Sequence, residues 1–406
     1  MSTPTHPNQR SWAISPSWSS EETESLGSDL TNVFQNGNVH CDPDDDTYAF
    51  LNFFQSPDAC VFDTQDWVMS QATQAQLVGD YNPYAMVAVL DDFEGSNHGR
   101  VVETILSSFS GLGRGFARFQ NTPRMDPLAR QLVSASPEHF GQTLYAYVEK
   151  FPAAGLAMTN THLELLTSDR YPHLRAINQS QAVSPLQATM SLLELSGVDV
   201  MVNKPVVRTT FGLQLGLHLG LGATANVVEF IEAVAEHVWS LQHQSDLVKW
   251  HRDRHYVLSE KAFEQDIGYF IAAGNGGHQL QALLRLGVKL PEEFHLSWFC
   301  NDYNLMVGAS EHSSGNSVEP AYFSSPGADL AVNGMRVLHA GLDGTSYAAP
   351  QVSALYVRLR IMRPELEIDE IYDLLAEACT PMESDDSLLG AGILNSGAVL
   401  ERAWRI

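Results

Sequence analysis

Gly344-Thr345-Ser346-Tyr347-Ala348-Ala349-Pro350 decides how the rest of this 406-residue chain is read. A glycine and a hydroxyl pair run into small residues and then into the apolar segment Val352-Ser353-Ala354-Leu355-Tyr356-Val357. That order predicts a strand-to-helix corner carrying a nucleophile. Gly344 permits a tight turn and lets a substrate backbone come close. Ser346 is expected at a helix start, where free backbone N–H groups and the helix dipole favour a developing negative charge. Ala348 and Ala349 allow close helix packing. Pro350 is expected in the first helical turn, where a missing N–H costs little. A Gly-Thr-Ser triplet by itself is more often an ordinary loop. The longer string becomes chemistry only if partners exist upstream.

Three upstream stretches supply them. Met86-Val87-Ala88-Val89-Leu90 is a continuous apolar run that ends on Asp91 and Asp92. It reads as a buried parallel strand with a carboxylate at its carboxyl end, where α/β sheets place function. Asn97-His98-Gly99 leads into Val101-Val102-Glu103-Thr104-Ile105-Leu106, which sets His98 at a helix N-terminus. Tyr269-Phe270-Ile271-Ala272-Ala273 reads as a further strand, ending at Gly274-Asn275-Gly276-Gly277. Alone, these are an acidic turn, a structural histidine and a glycine-flanked turn asparagine. Together they complete an acyl-transfer set. Ser346 supplies a hydroxyl that needs a base. His98 takes its proton and returns it to the leaving amine. Asp91 holds the imidazole tautomer. Asn275 donates to the tetrahedral oxyanion, beside the backbone N–H of Ser346.

In these motifs, and in the order Asp, His, Ser, the sequence resembles the subtilisin-like serine proteases (subtilases, peptidase family S8). Val87-Ala88-Val89-Leu90-Asp91 is similar to the family's aspartate strand, and Asn97-His98-Gly99-Arg100-Val101-Val102 to its histidine motif. Ala272-Ala273-Gly274-Asn275-Gly276-Gly277 resembles the oxyanion segment, and Gly344 to Pro350 the serine motif. Phe323-Ser324-Ser325-Pro326-Gly327 and Gly390-Ala391-Gly392-Ile393-Leu394-Asn395 resemble further family segments without a catalytic role. The likeness covers roughly residues 84–400. It implies an α/β, subtilisin-like three-layer fold with a central, mostly parallel sheet flanked by helices. It also implies a peptidase domain over 81–406. Asp91, His98 and Ser346 would be catalytic, and Asn275 would face the oxyanion. Ser180, Gln181 and Ala182, in Ala176-Ile177-Asn178-Gln179-Ser180-Gln181-Ala182, would bind substrate opposite Ala273 and Gly274. A competing edge, Asp199 to Pro205, ends on a proline that cannot donate to a substrate ladder.

The chain departs from the family in several places. Asp91-Asp92-Phe93 stands where Asp-Ser/Thr-Gly is usual, and Arg100 stands where a Thr-His pair is common. The interval from Asp91 to His98 is short, which removes the strands and calcium loop often found there. The long interval between Ser180 and Asn275 implies an insertion at about 205–258.

Composition bounds the rest. Hydrophobic residues are 44% and aromatics 9%, as in ordinary globular chains. The net charge of −25, with 48 acidic and 23 basic residues, argues against nucleic acid or an anionic membrane as partner. Cys41, Cys60, Cys300 and Cys379 are widely spaced and form no CxxC pair, so no zinc site is expected. No cofactor is expected. Asp42, Asp44, Asp45 and Asp46 offer oxygen ligands to a calcium-like cation but lack EF-hand spacing, and read as a solvated acidic turn. Residues 1–80 are expected to be an N-terminal extension: a polar leader to about 45, then a helical apolar stretch over Tyr48 to Leu77 resembling a prodomain-like cap or inhibitory segment. The polar N-terminus and the absence of an 18-residue apolar run predict no Sec signal peptide and no membrane span. The expected location is therefore the cytoplasm, or outside the cell by another route.

Along the chain, strands are predicted at 115–120, 174–180 and 198–202. Helices are predicted at 137–151, 184–195 (Ser184 as N-cap, Pro185 first), 225–242, 259–265 and 369–379. Phe211 to Gly222 alternates apolar residues with glycines and polar residues, and predicts a strand or hairpin with His218 exposed. The leading function is a serine endopeptidase. The alternatives are an inactive subtilase-like binding or regulatory module, and another acyl-transfer enzyme such as a peptide ligase or esterase.

Overall fold

The computed structural model describes residues 81–112, 115–222, 225–312, 318–337, 342–382 and 389–406. The leader, the acidic cluster at 42–46, the 48–77 segment, Cys41 and Cys60 lie outside the described residues.

The first strand, β1 (Val87–Asp91), is buried throughout, as a continuous apolar run requires when a strand is covered on both faces. After it come α1 (His98–Ser110), β2 (Phe116–Gln120), α2 (Asp126–Val133), α3 (Phe140–Leu166) and β3 (Ala176–Gln179). Next are α4 (Pro185–Leu195), α5 (Thr210–His218), α6 (Val227–Gln244), α7 (Asp246–Glu264), β4 (Gly268–Ala272) and α8 (Gly277–Arg285). The chain continues through β5 (Leu305–His312), β6 (Val318–Pro320), β7 (Leu330–Asn333) and α9 (Thr345–Met362). It closes with α10 (Ile368–Glu377), β8 (Cys379–Thr380), β9 (Ile393–Leu394) and α11 (Ser396–Arg405).

Among the described residues the strands form one sheet in the order β2-β1-β3-β4-β5-β7-β9-β8, with β6 on β5. Every pairing is parallel except β5 with β6 and β8 with β9. Side-chain alternation splits the core. Val87 and Val89 of β1, Phe270 and Ala272 of β4, and Val307 of β5 pack with α1 and α9. Ala88, Leu90, Tyr269, Ile271 and Met306 pack on the other face with α3 and α7. The protein is thus a three-layer α/β fold with a mostly parallel central sheet flanked by helices. A third cluster joins α2, α3, α4, α5, α6 and α8.

Local signals place several helices as expected. Ser184 caps α4 in a capping box with Gln187, and Pro185 follows at its first position. Asn226 and Glu229 form another box at the start of α6.

Three expectations are corrected. Residues 211–222 do not form a strand: Thr209 caps α5, its hydroxyl accepting from the Gly212 N–H at 3.0 Å. A period of two also contains a period of four. Phe211 and Leu215 therefore share the buried helical face, while Leu213 and Leu217 are exposed. Residues 198–202 are a turn rather than a strand. Gly197 closes α4 with positive φ, and the Asp199 carboxylate accepts from the Met201 N–H at 2.9 Å. Pro350 is not in the first helical turn. Because α9 begins at Thr345, the proline falls in the second turn and cannot donate to the Ser346 carbonyl.

The segment 205–258 contains α5, α6 and more than half of α7. Its boundary at 258 falls within α7, which carries Val248, Leu258 and Ala262 onto the sheet face.

Candidate active site

Every candidate residue sits at or just after the carboxyl end of a central parallel strand, or at the start of α1 or α9. Asp91 is the last residue of β1 and is fully buried. His98 opens α1, with its N–H donating to Ser96 Oγ at 3.1 Å. Ser346 is the second residue of α9, 5% exposed, where backbone N–H groups lack helical partners.

The structure brings these three together. His98 Nδ1 lies 2.6 Å from Asp91 Oδ1, and His98 Nε2 lies 2.9 Å from Ser346 Oγ. With Nδ1 donating to the carboxylate, Nε2 is the acceptor for the serine hydroxyl. Asp91 Oδ1 also accepts from the Asp92 N–H at 2.6 Å. Burial opposes the charged imidazole. The hydrogen bond to Asp91 and the charges of Asp91 and Asp92 outweigh it, and raise the His98 pKa above its ordinary 6.5. The Tyr347 ring stands 5.1 Å from the His98 ring and shields one side of it.

Asn275 follows β4, itself exposed between the buried Gly274 and Gly276. Its Oδ1 accepts from both the backbone N–H of Thr345 (2.9 Å) and the Thr345 hydroxyl (3.0 Å). Oxygen acceptance there leaves Nδ2 as the free donor, an orientation assigned from this network. A Cβ built on Gly344 would stand 3.0 Å from Ser346 Oγ and 3.4 Å from Asn275 Nδ2. Gly344 has φ 164°, extended backbone open to any residue, so it is the space and not the dihedral that calls for glycine. That space lies between the Ser346 hydroxyl and the Asn275 amide.

Ala273 and Gly274 line the adjoining wall. Ala273 donates to the Val307 carbonyl at 2.9 Å, and Gly274 donates to Thr345 Oγ1 at 3.1 Å. Gly274 has φ +107°, a conformation that favours glycine. On the facing side, Ser180, Gln181 and Ala182 follow directly on the end of β3. A Cβ on Gly274 would stand 3.4 Å from the Ala182 Cβ, so the two segments border one cleft. Ser180 Oγ accepts from the buried Asn178 amide at 2.9 Å, and Asn178 Oδ1 accepts from Ser353 Oγ at 3.1 Å on α9. Residues 199–205 lie in the turn before α5, outside this cleft.

Sequence reasoning assigned no role to Thr345, Ser325, Asn178 and Ser353, which bond to the residues of this set or to their neighbours. Ser325 Oγ accepts from the Gly276 N–H at 3.0 Å and steadies the Asn275 loop. Thr345, Asn178 and Ser325 each stood in a stretch that carries the family resemblance, and their signal was that neighbourhood. Among the described residues no cluster of three or more His, Cys, Asp or Glu side chains is placed to hold a metal, and no helix is long and apolar enough to cross a membrane.

No protein-family model matches the sequence, and no curated protein matches it. Among solved structures, the chain is similar to a lanthipeptide protease, with 11% identity, coverage of 79% of this chain and 88% of that one, and a TM-score of 0.42. It is similar to the subtilase cytotoxin SubAB, at 14% identity, 85% and 96% coverage and a TM-score of 0.41. It is also similar to the epidermin leader peptide processing serine protease EpiP from Staphylococcus aureus, at 17% identity, 45% and 56% coverage and a TM-score of 0.29. At such identities and scores the functional reading rests on the site geometry.

Proposed function

We propose that this chain is a serine endopeptidase that hydrolyses peptide bonds through an acyl-enzyme. The observation that carries the reading is the continuous relay from Asp91 Oδ1 through His98 to Ser346 Oγ, at 2.6 Å and 2.9 Å, built from residues far apart in sequence. In this mechanism Ser346 Oγ attacks the scissile carbonyl while its proton passes to His98 Nε2. Asp91 stabilises the imidazolium. The oxyanion receives hydrogen bonds from Asn275 Nδ2 and the Ser346 N–H. His98 then gives its proton to the leaving nitrogen as the C–N bond breaks. Water repeats the sequence to release the acid. The Ser180–Ala182 segment, which follows β3 and lies beside Gly274, supports a peptide substrate, because an extended chain can add to a strand end of this kind.

Labelling with a fluorophosphonate, comparing wild type with Ser346→Ala, tests the nucleophile. A peptide-library cleavage profile on the same pair tests the substrate class. Ser346-dependent labelling with peptide cleavage is the expected result. Labelling without peptide cleavage points to ester hydrolysis. An unlabelled wild type defeats the hydrolase reading.

A further inference from the structure

The link from Asp91 to His98 spans seven positions, and no regular element holds it. Its shape is set by a side chain from another strand. Gln120 ends β2 in direct register with Asp91 and is 8% exposed. Its Oε1 accepts from the backbone N–H groups of Phe93 (2.7 Å) and Glu94 (3.1 Å). Its Nε2 donates to Asp92 Oδ1 at 3.0 Å. The same Asp92 oxygen accepts from the Gly95 N–H at 2.8 Å, and the Asp92 carbonyl accepts from the N–H of Gly99, the residue after His98, at 3.0 Å. The Gln120 backbone is itself anchored, its carbonyl accepting from His162 Nε2 at 2.9 Å.

We propose that Gln120 is a positioning residue for His98, bridging Asp92 to the backbone of Phe93 and Glu94 and so holding the short link in the shape that presents the imidazole to Asp91 and Ser346. A neutral amide offers a donor to the carboxylate and, from its oxygen, an acceptor to both N–H groups at once. A glutamate has no N–H and sets a second negative charge against Asp92. A methionine fills the space and makes neither bond. The groups facing His98 are Asp91 on β1, Asp92 in the link and Tyr347 on α9, so Gln120 also fixes where the Asp92 charge points relative to the imidazole. The effect on rate rests on the hydrolase reading. The effect on His98 itself does not.

The test uses the full chain with carbon-13-labelled histidine, as wild type, Gln120→Met and Gln120→Glu, with His98→Gln to identify the resonance. Three quantities are followed: the His98 titration midpoint by NMR, the thermal transition, and the rate of fluorophosphonate labelling. In folded variants the His98 midpoint is expected to move, and labelling to slow about 10- to 100-fold from misplacement of the base. Gln120→Glu keeps a side-chain oxygen that accepts from the Phe93 and Glu94 N–H groups, so it carries the test if Gln120→Met does not fold. An unchanged His98 midpoint and labelling rate in a folded variant overturns the proposal. A wild type that does not label, while Gln120→Met still shifts the His98 titration, defeats the hydrolase reading and leaves the positioning role standing. Ser346-dependent labelling that ignores Gln120 does the reverse.

Discussion

Thr345 donates twice to Asn275, through its backbone N–H at 2.9 Å and its hydroxyl at 3.0 Å, and both bonds end on the same oxygen, Oδ1. Residues 70 positions apart are thereby locked into one amide orientation. The residue preceding Ser346 thus decides which way the Asn275 amide faces, and its hydroxyl also accepts from the Gly274 N–H at 3.1 Å.

Asn275→Leu should therefore lower kcat by about 10²–10³-fold with KM little changed, because its hydrogen bond strengthens only as the oxyanion forms. Thr345→Val should give a smaller loss of the same kind, since the backbone bond to Oδ1 survives. Steady-state kinetics on a cleaved peptide separate the two parameters. A rise in KM at constant kcat would instead assign Asn275 to ground-state binding.

Ser346→Ala and His98→Ala should each remove on the order of 10⁶-fold of kcat, and the double variant should lose little more, since the two act as a unit. Additive losses would show that they do not. Single-turnover assays with high enzyme concentration check this.

His98 must be neutral to accept the Ser346 proton, and its pKa is raised above 6.5 by the bond to Asp91 and by the carboxylates Asp91 and Asp92, against burial. kcat/KM should therefore rise with pH through a midpoint above 6.5. Asp92→Asn removes one of the raising charges, so the midpoint should move down. A midpoint that stays fixed would show that Asp92 does not influence the base. A pH–rate profile of both forms decides it.

His162, His251 and His255 are buried, and burial lowers their pKa values to about 4, about 3 and about 4. In the unfolded chain they titrate near 6.5. Their folded values are depressed, so below 6.5 the unfolded state binds protons that the folded state refuses. Stability should be full above that pH and fall towards pH 4, by about 1.4 kcal/mol per pH unit for each histidine. Neither ring nitrogen of His251 has a hydrogen-bond partner within the protein. His251→Leu should thus leave stability at pH 7.5 intact and flatten the acid slope. Urea unfolding at pH 7.5, 6 and 5 measures both effects, and identical slopes for the two proteins would contradict the assignment.

The geometry of α5 makes a sharp contrast. Leu215 is fully buried, whereas Leu213 and Leu217 are 64% and 75% exposed. Leu215→Ala should cost about 2–5 kcal/mol, and Leu213→Ala little. Equal costs at 213 and 215, read from denaturant midpoints, would favour the strand that the alternating sequence suggests.

The sequence by itself determined the elements whose signals are local. An unbroken apolar run made β1 a doubly covered strand, Ser184-Pro185 started α4, and small residues after Ser346 made room for α9. Asp91, His98, Asn275 and Ser346 were legible because each stands next to such a signal, at a strand end or a helix start. Tertiary structure decided whether they meet. His98 and Ser346 are 248 positions apart, and only the order of strands in the sheet sets them 2.9 Å from each other. It also decided residues 211–222, where spacings of two and four coincide and the buried face of α5 settles the period. The bonds of Gln120 were illegible for the same reason: an amide at the end of a strand has no chemistry of its own to announce it, and its role lies in the partners that the fold delivers.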